Sequence, residues 1–148
     1  MDPSVAIIVG VLIGGVLTWA ISLFQRNADR EARAVERKYE RLHAAARLIR
    51  LSVIQAGQLN YSRSLRGLPD MTAWPSQRWA QFARTLTDAG AALALVSDEL
   101  PQAAGIEYET AAEALLNSNR ADQKKLERYT KAALALNGAV EARTRALR

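Results

Sequence analysis

The stretch from Val5 to Phe24, VAIIVGVLIGGVLTWAISLF, constrains this chain more than any other feature. It holds twenty residues without a charge, and its polar groups are two hydroxyls and one indole. At a rise of about 1.5 Å per residue, a helix of this length spans about 30 Å, the thickness of a bilayer's hydrocarbon core. A buried helix in a domain of this size rarely needs so long an apolar run. The sequence therefore predicts a transmembrane helix within residues 1–24.

The flanks of this helix predict its orientation. The N-terminal flank carries only the terminal amine and Asp2, whereas the C-terminal flank is basic. Because basic residues favour the cytoplasmic side, we expect the N-terminus outside the plasma (inner) membrane and the rest of this single-pass chain in the cytoplasm. A cleaved signal peptide ending near Ala20 is the alternative, but a signal would begin with basic residues. The flanking basic residues, also predicted to contact anionic lipid, are Arg26, Arg30, Arg33, Arg37, Lys38 and Arg41.

Small side chains recur at every fourth position of the predicted span. On a helix this spacing forms one stripe, with a Gly-x-x-x-Gly pair at its centre. Small residues let two helix backbones approach closely in lipid, so the stripe predicts self-association and a homo-oligomer. The alternative is that glycine is simply common in membrane helices. The stripe consists of Ala6, Gly10, Gly14, Thr18 and Ser22.

An amphipathic pattern follows the span without a break. From Ala28 to Ala56 apolar residues recur at alternating steps of four and three, which is a heptad seam typical of coiled coils. The seam is narrow at first, which favours a stalk over 25–45, and then widens, which favours burial in a bundle. The seam residues are Ala28, Ala32, Val35, Tyr39, Leu42, Ala46, Ile49, Val53 and Ala56.

The remainder, 46–148, predicts a cytoplasmic helical bundle. Helical periodicity continues through it, good helix formers dominate, and no strand-like alternation persists. Short connections favour antiparallel neighbours, so the fold class is all-α. Asn119 with Asp122 resembles a capping arrangement for the last helix. The four helices are expected at about 46–66, 75–97, 101–117 and 119–147.

The residues that usually carry chemistry are scarce. The chain has no cysteine, which excludes disulfides and thiolate ligands, and His43 is its single histidine. Glu107, Glu109 and Glu113 lack the histidines of a carboxylate metal site, so a solvated acidic face is expected. We therefore predict no catalytic residue, metal site or cofactor. The basic excess lies between Arg26 and Arg66, beside the membrane, and nucleic acid is not an expected partner.

Two tryptophans flank the start of the second bundle helix. By default, we expect Trp74 and Trp79 to pack the connector against the bundle. The more specific alternative is that they form a patch that binds a protein partner.

Two classes of function fit these features. The first is a non-enzymatic, self-associating membrane adaptor that presents its bundle to a protein partner. The second is a small membrane-active protein, of the phage lysis, exclusion or envelope-stress type, whose span is itself the effector. Growth arrest on expressing 1–41 alone would favour the second function.

Overall fold

The described part of the chain is largely helical. This computed structural model describes the backbone of residues 3–65 and 74–148, and the side chains of residues 21–65 and 75–148. No strand occurs in these ranges, so the all-α prediction is confirmed. The helices are α1 (Pro3–Ser64), α2 (Trp74–Ala94), a 3-10 turn (Ser97–Glu99), α3 (Gln102–Leu116) and α4 (Gln123–Ala146).

The chain divides into two units, 1–37 and 38–148. The first contains the N-terminal part of α1, and its side chains from Leu23 to Arg37 are exposed. The second is a four-helix bundle, and Leu42 and Ala45 of α1 are fully buried in it.

Among the residues whose side chains the structure describes, no helix is both long and apolar enough to cross a membrane. Most of the predicted span, 5–20, and most of its small-residue stripe lie outside those residues.

Hydrogen bonds at the two ends of the bundle give an up-down-up-down order. At one end the amide of Asp122 donates to Asn60 Oδ1 over 2.8 Å, and at the other Arg148 Nη2 donates to Tyr39 OH over 2.6 Å. Helix α4 therefore runs antiparallel to α1. Arg63, near the end of α1, bonds to the last residues of α3, so those two helices run parallel.

The core is formed by one apolar face from each helix. The seam predicted on α1 enters the core at Leu42, and Ala46, Ile49 and Ala56 are also buried. Val53 of the seam is partly buried, and Val35 is exposed. The bulky core residues from the other elements are Phe82, Val96, Tyr108, Leu115, Tyr129, Leu136 and Val140.

The last helix starts later than its sequence pattern predicts. The carboxylate of Asp122 accepts a 3.0 Å hydrogen bond from the amide of Lys125, which makes Asp122 the N-cap. The predicted cap at Asn119 was therefore wrong by one turn. Since the cap satisfies a helix amide that has no intrahelical partner, it fixes where α4 begins.

Candidate functional site

The middle of the bundle contains a buried hydroxyl cluster formed by Ser52, Tyr108 and Tyr129. Tyr129 OH donates to Ser52 Oγ over 2.6 Å, and Ser52 Oγ donates to the carbonyl of Ile49 over 2.6 Å. Tyr108 OH lies 3.1 Å from the same serine oxygen and donates to it, because the serine proton is already used. Phe82 packs edge-on against Tyr129 with 5.3 Å between ring centroids. All three hydroxyls are thus satisfied without water.

Burial determines the protonation of this cluster. It raises the pKa of both Tyr108 and Tyr129, because a phenolate loses its hydration in the core. Two neutral phenols and one serine supply hydrogen bonds that join three helices. The cluster therefore positions helices and offers no nucleophile.

An ion-pair centre closes the bundle at the end where α1 enters it. Glu99, in the 3-10 turn, accepts a 2.6 Å hydrogen bond from Lys38 Nζ of α1 and another from Arg143 of α4. The Glu99 side chain is only 9% exposed. The hydrogen bond from Lys38 is the largest cause that lowers the pKa of this carboxyl, and the hydrogen bond from Arg143 is the next largest. One carboxylate thus links three elements of the bundle.

The opposite end is closed by side chains that reach the C-terminus of α3. Arg63 is buried and donates to the carbonyls of Leu115 and Leu116 over 2.8 and 3.1 Å. Trp79 Nε1 donates to the same Leu116 carbonyl over 3.2 Å. A guanidinium at this position also interacts favourably with the negative end of the α3 dipole.

An apolar groove of about 210 Å³ lies between α2 and α3. Its lining includes Leu93, Leu100 and the core residue Leu136, and Glu109 provides its acidic group. The rim residue Ile106 is 55% exposed. Because the lining of this groove is mainly apolar, we take it as the candidate site.

Two glycines, Gly90 and Gly105, widen this groove. A Cβ atom added to either would meet no neighbouring atom within 4 Å. The packing of the bundle therefore does not require glycine there, although each glycine lies inside a helix, where it costs about 1 kcal/mol relative to alanine. Sequence reasoning missed the groove. The available signal was one glycine inside each of two adjacent helical patterns.

The predicted tryptophan patch is described only in part. Trp79 is 46% exposed, while its indole N–H is used by α3. The side chain of Trp74 lies outside the described residues. Whether the pair binds a partner stays a prediction.

The predicted lipid-contacting residues are all exposed, but they are not equivalent. Lys38 forms an ion pair with Glu99, so its charge is already paired within the protein. Lys38 and Arg41 lie in the bundle unit, and the other four predicted contacts lie in the first unit. Those exposed residues of the first unit are Arg26, Arg30, Arg33 and Arg37.

The three glutamates of α3 lie in different environments. Glu107 accepts a 2.9 Å hydrogen bond from Arg128 Nε of α4, and this guanidinium lowers its pKa. Glu109 lines the apolar groove, and Glu113 is exposed. Within the described ranges, no three His, Asp or Glu side chains converge as a metal site would require.

Comparison of this chain with protein-family models, with curated proteins and with solved structures finds no match.

Proposed function

We propose that this protein is a non-enzymatic, membrane-anchored adaptor whose bundle binds a helix of a partner protein in the groove between α2 and α3. The observation that carries the proposal is this groove, with leucines in its lining and a glycine in each bordering helix. Apolar grooves between helices bind the apolar face of an amphipathic helix. Glu109 adds a preference for a partner helix that places Lys or Arg beside its apolar residues.

The membrane anchor in this proposal rests on the sequence. The uncharged run from Val5 to Phe24 is long enough to span a bilayer, and the basic flank after it favours an inner-membrane orientation with the N-terminus outside. The bundle is then cytoplasmic. In the same proposal the stripe around Gly10 and Gly14 forms a homo-oligomer, and the exposed arginines of the first unit contact anionic lipid.

Photo-crosslinking of the full chain in its native membrane tests the partner site. A photoreactive amino acid at Ile106 lies on the groove rim, and one at Leu134 is the matched control, because that leucine is 59% exposed outside the groove. We expect a discrete adduct with another protein from position 106 and none from position 134. An adduct with the mass of two copies would instead make the groove a self-association surface.

Glycine substitutions separate loss of binding from loss of folding. Gly105→Leu places a side chain in the groove, whereas Gly138→Leu places the same side chain on an exposed part of α4. Neither site has a neighbour within 4 Å of the new Cβ, so both variants should fold. We expect Gly105→Leu to abolish the adduct at position 106 and Gly138→Leu to preserve it. Equal adduct yields from both variants would refute the groove as the partner site.

A further inference from the structure

A second groove, of about 250 Å³, lies between α1 and α4 and is distinct from the partner groove. Aromatic and hydroxyl groups from both helices share its lining with cationic ones. The lining residues used in the argument are Tyr39, His43, Arg50, Thr144, Arg145 and Arg148. All of them belong to the bundle unit, so the groove is built within one compact body.

The charges in this groove do not balance. Three guanidinium groups line it, against the single carboxylate of Glu141. That carboxylate lies 3.9 Å from Arg50 Nη1 and also accepts a 2.7 Å hydrogen bond from Asn137 Nδ2. Counted over the lining side chains, two positive charges therefore remain uncompensated.

The two remaining arginines keep donors available. Arg148 is held by one hydrogen bond, from Nη2 to Tyr39 OH, which leaves its other N–H groups to donate. The Arg145 side chain is exposed and has no hydrogen-bond or ion-pair partner among the described residues. Thr144 and His43, whose ring lies 5.1 Å from that of Tyr39, add further polar groups to the lining.

From this arrangement we infer that the groove between α1 and α4 binds a phosphate-bearing anion. Guanidinium groups match phosphate oxygens with paired, charge-assisted hydrogen bonds, and a concave lining holds several such donors around one ligand. A free phosphate compound and a phospholipid headgroup present the same chemistry. This site uses different residues from the arginines of the first unit, and it does not depend on the partner groove.

Phosphate titration of the full chain tests the site. A single cysteine at exposed Ala142, labelled with an environment-sensitive dye, reports on α4 beside the groove, and the chain has no other cysteine. In a maltoside detergent we expect a saturable dye response to inorganic phosphate. Arg145→Gln should weaken binding about tenfold or more, since it removes charged hydrogen bonds. Arg145→Lys keeps the charge, so its phosphate affinity should lie between that of the parent and that of Arg145→Gln.

The matched control is Arg84→Gln on α2. Arg84 is exposed and lies outside the groove, so this variant removes one charge from the protein without touching the site. We expect its phosphate affinity to equal that of the parent. If Arg84→Gln and Arg145→Gln weaken binding equally, or if no saturable response occurs in any medium, the inference is wrong.

Nanodiscs distinguish the two sources of phosphate. A soluble ligand predicts the same titration in discs of phosphatidylcholine and in discs that also contain phosphatidylglycerol. A headgroup ligand predicts that the anionic discs shift the dye before phosphate is added, and that Arg145→Gln removes this shift. Either pattern supports the site and assigns its ligand.

Discussion

Tyr129 and Ser52, which lie 77 positions apart in the chain, are joined by a 2.6 Å hydrogen bond in the interior of the bundle. The serine oxygen also accepts from Tyr108, so a single hydroxyl of α1 fixes the positions of two tyrosines on the facing helices. A serine in an apolar helix face would otherwise cost stability, because burying an unpaired hydroxyl is unfavourable.

Ser52→Ala should destabilise the bundle by about 1–3 kcal/mol, because it leaves two buried tyrosine hydroxyls without their common acceptor. Ser62→Ala is the matched control. Ser62 is equally buried but bonds only to the carbonyl of Leu59 in its own helix, over 2.8 Å, so a smaller loss is expected. Urea unfolding of both variants measures the difference. Similar losses of unfolding free energy in the two variants would show that the hydrogen bonds between helices add no stability.

The two core tyrosines predict a decline in stability at alkaline pH. Their pKa values are raised in the folded state. Their contribution to the free energy of unfolding is therefore complete below the unfolded-state pKa of 10.0 and is lost as the pH rises towards the folded-state pKa. Each tyrosine should lower the unfolding free energy by about 1.4 kcal/mol per pH unit above pH 10. Urea midpoints between pH 9 and 11 should fall less steeply for Tyr108→Phe with Tyr129→Phe. Tyr61→Phe, at a 63% exposed site, should keep the original slope.

Glu99→Gln should destabilise the bundle at pH 7, because it removes the charge between Lys38 and Arg143. The pKa of Glu99 is lowered in the folded state. Its contribution to the free energy of unfolding is therefore present above pH 4.5 and is lost as the pH falls through the folded pKa. The difference in urea midpoint between variant and parent should therefore shrink in acid. Asp98→Asn, at the exposed neighbouring carboxylate, is the control and should have little effect at either pH. A difference that stays constant with pH would contradict the ion-pair explanation.

Membrane topology can be tested with introduced cysteines. Ser118 would be an unsuitable reporter, because it is buried and bonds to the carbonyl of Arg120 over 2.9 Å. Ala121 is exposed in the same turn and is the better site. In intact cells an impermeant thiol reagent should label Ser4→Cys and leave Ala121→Cys unlabelled, while lysis should make position 121 reactive. Labelling of Ala121→Cys in intact cells would reverse the proposed orientation.

Local periodicity was sufficient to predict the helical class and the core face of α1. The steps of three and four placed Leu42, Ile49 and Ala56 on one face, and the structure buries all three. Local sequence does not fix the helix ends, because several polar residues compete as caps. Asp122 acts as the cap of α4, and Asn119, three residues earlier, was predicted instead.

Contacts between distant positions could not be predicted from spacing. Glu99 gains its role because Lys38 and Arg143 approach it from two other helices, and no local pattern connects these three residues. The groove between α2 and α3 likewise depends on which helices become neighbours. A glycine in a helix can relieve packing, end the helix or open a surface, and only the folded arrangement distinguishes these outcomes at Gly90 and Gly105.

The bonds from Arg63 to the last carbonyls of α3 limit how this protein can be shortened. A fragment that starts in the connector after α1 would lose that arginine, and with it Ser52 and the whole first wall of the core. Three helices would remain, with an exposed apolar face and tyrosine hydroxyls deprived of their serine. A fragment intended for spectroscopy or crystallisation should therefore begin no later than Lys38, where the bundle unit begins.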